Sequence, residues 1–188
     1  MHDKNPDFTK RQLQVIRGTI LGGSSIVKPK AGTNCYLSIR SKNKTWFEFK
    51  IAELENFSRQ HSIHSDVTYR WQSTCYPIFN EFREEFYQEN ARNLKIDSLN
   101  VLTDVAMGIW VTDSAKLLKN SLILKTNIWG KDGTEVINEY FGLIGYNSKV
   151  ILEKGLYRVQ LDEESSEKVK KLVSPHLAIF WSRLHVTR

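Results

Sequence analysis

Cysteine is scarce. Cys35 and Cys75 are the only two in 188 residues, too few and too scattered for a disulfide framework or a zinc site, so both are expected as reduced core side chains of an intracellular protein. No apolar run approaches the length of a membrane span. The N-terminal MHDKNPDF is polar and lacks the apolar centre of a secretory signal. Low-complexity tracts are absent as well. What is present is 40 % hydrophobic content, enough for a real core in one compact domain or two fused small ones. The net charge is +6, a balance that favours an anionic partner.

The chain is organised around Phe8–Ser25, FTKRQLQVIRGTILGGSS. Thr9 followed by Gln12 is a capping-box start, with Phe8 and Leu13 placed for a hydrophobic staple. Leu13, Ile16, Ile20 and Leu21 form a helical apolar stripe that Gly22-Gly23 terminates. Gly18 and Gly22 stack on one face and leave room for a second helix. The pattern returns at VLTDVAMGIWVTDSAK, with Leu102 before the cap Thr103, Met107 in the staple position, and Gly108 and Thr112 four apart. Thr9 to Thr103 is 94 residues and Gly23 to Ser114 is 91, so the second helix is expected nearly one turn shorter.

Between these helices the periodicity alternates. TNCYLSIR reads as a strand with Cys35, Leu37 and Ile39 inward and Asn34, Tyr36, Ser38 and Arg40 outward. After the basic turn Ser41–Lys44 comes a helix through Trp46, Phe47, Ile51, Leu54 and Phe57. Asp66–Thr74 alternates again, Val67, Tyr69 and Trp71 against Thr68, Arg70 and Gln72, and a helix follows over about Ile78–Gln88. The first unit therefore reads α-β-β-α-β-α, and Asn90–Ser98 reads as a linker. The second unit replays the order. A polar turn Ser114–Lys119 leads to the strand SLILKTN, with Leu122 and Leu124 on one face and Ser121, Ile123, Lys125 and Asn127 on the other. A turn Gly130–Gly133 precedes a helix through Val136–Ile144. A hairpin then turns at Lys154-Gly155, followed by a charged helix Glu163–Val173, its exit at Pro175, and a closing apolar run HLAIFWSRL expected to pack on the body.

VIRGTILGGSSI resembles the first motif of the LAGLIDADG homing endonucleases, and LTDVAMGIWVTDSAK resembles the second motif of their single-chain members, roughly LTPxxLAxWFMDDG. CYLSIRSKNKTWFEFKIAEL, SLILKTN and VQLDEESSEKVKKLVSPHL match the family's order of elements, so the likeness runs from about Thr9 to Leu184. It implies an α+β fold of two pseudo-symmetric αββαββα-type halves, residues 1–97 and 98–188, packed through the motif helices. Each half would give antiparallel strands to a saddle over double-stranded DNA, and one chain carrying both motifs would act as a monomer. Tyr36, Ser38, Arg40, Thr68, Arg70, Gln72, Lys125, Asn127, Arg158 and Gln160 then become groove readers, Arg matching guanine and Gln or Asn matching adenine. Lys28, Lys30, Lys42 and Lys44, in turns, would position the phosphates.

The departures matter most. In active members each motif helix ends in an acid, and the two carboxylates bind Mg²⁺, a hard cation that wants oxygen ligands. Here the first acid position holds Gly23. Aligned on Trp110 the second holds Ser114, whereas aligned on Gly108 it holds Asp113. The expectation is a sequence-specific duplex DNA-binding protein whose metal-dependent nuclease activity is lost or impaired, with no metal held productively and Asp113 the one remaining acid at most. The alternatives are an RNA-binding intron maturase, an active homing endonuclease using Asp113, and an interaction protein that keeps only the scaffold. Organellar, phage and bacterial settings all stay open.

Overall fold

The computed structural model describes residues 4–64 and 68–174. Its first half runs α1 (Lys10–Leu21), β1 (Ser25–Val27), β2 (Tyr36–Ser41), α2 (Lys44–Leu54), β3 (Ser58–His64), β4 (Thr68–Ser73) and α3 (Ile78–Phe86). A two-residue hairpin, β5 (Tyr87–Gln88) with β6 (Ala91–Arg92), and the short α4 (Ile96–Asn100) lead into the second half. That half runs α5 (Asp104–Ser114), β7 (Ala115–Leu118), β8 (Ser121–Leu124), α6 (Gly130–Leu143), β9 (Ser148–Glu153), β10 (Leu156–Leu161) and α7 (Glu163–Val173). The two four-stranded antiparallel sheets have matching connectivity, β1-β2-β4-β3 and β7-β8-β10-β9. The fold is α+β, and each half has the αββαββα order.

α1 starts as its sequence dictates. The Thr9 hydroxyl accepts from Gln12 N and the Gln12 side chain accepts from Thr9 N, a complete capping box. Phe8 stacks on Phe57 with ring centroids 4.1 Å apart and meets Tyr76 and Phe79 edge-on. At α5 the Thr103 side chain makes no capping bond of its own. Gln14 of α1 serves that end instead: its Oε1 accepts from Thr103 N at 3.0 Å and its Nε2 donates to Val101 O at 3.2 Å. α1 has 12 residues and α5 has 11, so the second helix is one residue shorter rather than nearly a turn.

Several local expectations are corrected. Ser114–Lys119 is not a turn: Ala115–Leu118 pairs with β8 from Ala115↔Leu124 to Leu118↔Ser121. Gly130–Gly133 is the first turn of α6, where the Thr134 hydroxyl donates to Gly130 O at 2.6 Å. The polar stretch Ser58–His64, unassigned by periodicity, is β3. Asn90–Ser98 is structured by β6 and α4, and the 97/98 boundary falls inside α4. Asn127 opens a 3₁₀ turn, Asn127–Trp129, past the end of β8, which stops before Lys125. Lys44 is the first residue of α2 rather than a turn residue. Asp66, Val67, Pro175 and the run HLAIFWSRL lie outside the described residues.

The core is continuous between halves. Val15, Ile16, Ile20 and Leu21 of α1 and Ile109, Trp110 and Val111 of α5 are completely buried in the same cluster as Leu37, Ile39, Leu122, Leu124 and Phe141. Cys35 is buried, and burial pushes its thiol pKa up, whereas Cys75 is only half-buried and is not the core side chain expected. Among the described residues no helix is long and apolar enough to cross a membrane.

Candidate functional site

The two motif helices touch through their small residues. A Cβ built on Gly18 would collide with the carbonyl oxygen of Ala106 and lie 2.9 Å from Ile109 Cβ, a separation that real side chains do not adopt. On Gly22 it would lie 2.7 Å from Asp113 Oδ2. Gly108 and Thr112 are buried on the opposing helix, where the Thr112 hydroxyl donates to Gly108 O at 2.7 Å. The backbones approach because glycine allows it.

Asp113 closes this junction, and its carboxylate is engaged. Oδ1 accepts from Trp46 Nε1 at 2.7 Å and from Lys50 Nζ at 3.0 Å, and Oδ2 accepts from Lys50 Nζ at 2.9 Å. The Lys50 side chain is 1 % exposed and that of Asp113 is 11 %. The Lys50 ammonium also sits 5.6 Å from the Trp46 ring centroid, within cation–π range. Ser114 is turned away: its hydroxyl donates to Trp110 O at 2.7 Å and the residue is buried. Gly23 is exposed with φ +117, where an L side chain is strained, and the nearest atom to an added Cβ is Ile128 Cδ1 at 3.9 Å.

Gly22 and Asp113 line a cleft of about 400 Å³ together with Arg40 and Ser41 from the end of β2 and Lys42 and Asn43 from its connection to α2. Asn43 caps α2 by accepting from Trp46 N at 2.9 Å, and Ser41 Oγ accepts from Asn43 N at 3.1 Å, so this corner is built rather than loose. Behind it, Arg92 wraps the C-terminal end of α1. Its guanidinium donates to Ile20 O, Gly23 O and Ser24 O at 3.3, 3.2 and 2.6 Å and lies 5.0 Å from the Trp129 ring centroid. Burial lowers its pKa from the ordinary arginine value.

Register fixes the polar faces of both sheets, since directly opposed residues share a face. In the first sheet Ser38 lies opposite Ser25 and Gln72, Tyr36 opposite Val27, and Arg40 opposite Arg70. Thr68 falls on the same face by alternation, while Ile26, Leu37, Ile39 and Trp71 fill the other. In the second sheet Gln160 lies opposite Ile123 and Lys149, Ile123 opposite Lys116, and Arg158 opposite Ile151. Ile123 is buried, outside the main core cluster. Glu153 gathers the cations here: Lys116 Nζ donates to both its oxygens at 2.6 and 2.8 Å, and Arg158 Nε lies 2.9 Å from Oε2 as an ion pair without hydrogen-bond alignment.

Lys28, Lys30 and Lys42 are exposed in connections, and Lys44, whose Nζ is 3.7 Å from Glu48, is exposed at the start of α2. Lys125 is exposed beside the junction, its N–H donating to Ser114 O at 2.9 Å. Sequence reasoning missed Lys50, Arg92, Lys116, Lys149 and Glu153. For Lys50 the available signal was its spacing from Trp46, four residues on one helix face. Lys116 was hidden by a strand too short to show alternation.

A family model described as the LAGLIDADG DNA endonuclease family matches residues 13–169. A probable intron-encoded endonuclease 1 of Wickerhamomyces canadensis is 24 % identical, the match covering 90 % of this chain and 81 % of the relative. Among solved structures, the homing endonuclease I-WcaI bound to its DNA recognition sequence superposes with a TM-score of 0.87 at 20 % identity, over 96 % of this chain and 88 % of that one. I-DmoI in complex with DNA and Mn gives 0.57 at 14 % identity, over 87 % and 96 %.

Proposed function

This chain belongs to the LAGLIDADG DNA endonuclease family, and on that premise we propose that it is a sequence-specific double-stranded DNA-binding protein whose metal-dependent strand cleavage is lost. The observation that carries the reading is the pair Arg40 and Arg70, exposed and directly opposed across β2 and β4. Like charges so placed repel each other in the free protein. A polyanion relieves that repulsion, and two guanidiniums on one sheet face suit the acceptor edges of guanine. Gln72 and Gln160 on the same faces offer amides for adenine, and Lys28, Lys30, Lys42, Lys44 and Lys125 surround them with phosphate contacts that set position rather than sequence.

The relatives' structures with DNA support a duplex as the partner, and the single chain with both motif helices supports a monomer. Mg²⁺ does not fit the donors present. Gly23 has no side-chain ligand atom and its carbonyl oxygen accepts from Arg92, the Ser114 hydroxyl is committed to Trp110 O, and both oxygens of Asp113 already accept from N–H groups. Among the described residues no three His, Cys, Asp or Glu side chains converge. Without two close carboxylates the helix junction also repels a phosphate less than a cleaving relative's would.

Selection from a randomised duplex library tests the proposal, followed by titration of the winning site against salt. A recovered consensus and a steep linear fall of log affinity with log salt are expected. Tighter binding to structured RNA than to any duplex would replace DNA with RNA as the partner, and a flat salt response would indicate a protein partner instead.

A further inference from the structure

We propose that the Lys50 ammonium is the resident cation of the helix junction, occupying Asp113 so that no divalent metal binds there and the adjoining cleft takes a DNA phosphate directly. The inference deepens the binding reading above and rests on it for the phosphate.

The geometry leaves Asp113 little to give a metal. Both oxygens receive direct N–H donors, and Oδ1 receives two. Gly22 packs against the remaining side so tightly that one added carbon would lie 2.9 Å from Asp113 Cγ. A metal at this carboxylate would sit beside an ammonium in a poorly hydrated site, where like charges interact strongly. Admitting it would require Lys50 to leave. The lysine has nowhere solvated to go, because its side chain is 1 % exposed and its stem lies in α2 between the buried residues Trp46, Phe47, Ile51 and Leu54. Mg²⁺ and Mn²⁺ want oxygen ligands, and the one carboxylate at this corner is taken by the ammonium. Displacing Lys50 would leave a buried carboxylate without its counter-charge, so the pair resists being broken.

The consequence lies in the cleft. With Asp113 neutralised by Lys50, the charged side chains still facing solvent there are Arg40 and Lys42. The cleft wall is therefore cationic without any ion, and its Ser41–Asn43 corner is held by its own hydrogen bonds. A phosphodiester oxygen can dock on Lys42 through a charge-assisted bond, with the positive charge of Arg40 beside it and the Arg40 guanidinium left for the base edges.

Manganese(II) titration of the purified full chain by electron paramagnetic resonance tests the exclusion without DNA. The unaltered chain is expected to take up no Mn²⁺ in a saturable way. Lys50→Met should gain one saturable site, and Lys50→Met with Asp113→Asn should lose it. If Lys50→Met does not fold, Lys50→Gln, which keeps an amide donor toward Asp113, serves in its place. Saturable Mn²⁺ binding by the unaltered chain that Asp113→Asn removes would overturn the proposal, and so would a folded Lys50 variant that gains no site. The companion measurement compares duplex affinity in Mg²⁺ and in chelator, with no loss on chelation expected. Failure to bind any duplex would defeat the DNA reading alone, since the Mn²⁺ titration stands apart from it. Binding that requires Mg²⁺ would defeat the exclusion alone.

Discussion

At Gly18 a side chain has to displace backbone, because the atom it meets is the Ala106 carbonyl oxygen. Gly18→Leu should therefore destabilise by about 3 kcal/mol, the upper part of the usual overpacking cost, against an opposing gain of about 1 kcal/mol from better helix propensity. A thermal melt decides the sign, and an unchanged or raised midpoint would mean that the helices do not meet there. Glu153 makes a pH prediction. The Lys116 hydrogen bond, reinforced by the charge of Arg158, holds its carboxyl below the ordinary value of 4.5. Its stabilising contribution is thus fully present above that value and is lost as pH falls through the lower folded one. In an acid titration of stability, Glu153→Gln should remove that part of the slope, and an identical slope would show that the Lys116 pairing adds nothing. Gly18 was legible because glycine four residues from glycine has few other uses in a helix. Lys50 was not, because a lysine within FEFKIAEL looks solvated until the second motif helix brings Asp113 to it.

Strands carry the division between reading bases and gripping phosphates. Arg70 lies within β4 on the polar face, whereas Lys42 lies in the connection after β2. Arg70→Ala should cost about 1–3 kcal/mol on the preferred site and relax preference at particular base pairs. Lys42→Ala should weaken all duplexes about equally and flatten the salt slope by about one ion. Equal behaviour of the two variants across a panel of single-base-pair changes would contradict the assignment. Alternation made β2 and β4 readable, since β2 carries buried Leu37 and Ile39 and β4 carries half-buried Tyr69 and buried Trp71, each pair two residues apart. β3 and β7 were unreadable for opposite reasons. SRQHSIH has almost no apolar period and takes its place from pairing with β4, and AKLL is only four residues long and ends in two adjacent leucines. The hairpin at Lys154-Gly155 was legible from its turn residues, and both adopt positive φ there, 52 and 76.

Two motif helices in one chain make the whole molecule its own partner. Gln14 bridges to the start of α5, Trp129 Nε1 donates to Leu21 O at 3.4 Å, and the two helices share one core. Sedimentation at micromolar concentration should give the monomer mass of 21.9 kDa. A stable dimer would imply a second interface that the pseudo-symmetric pairing does not need. The repeated motif was visible in sequence because both helices keep their small residues four apart. The identity of the residue at the second acid position was not, because beside the alignment that places Ser114 there a register shifted by one residue places Asp113. In the structure Asp113 stands beside Gly22 and Ser114 turns into the body.

The central claim is duplex recognition without cleavage. It is tested most directly by incubating the chain with its selected duplex and Mg²⁺ or Mn²⁺, then running one sample on a native gel and on a denaturing gel. The account predicts a retained complex on the first and intact strands on the second. A discrete, metal-dependent cleavage product from the unaltered chain would contradict it.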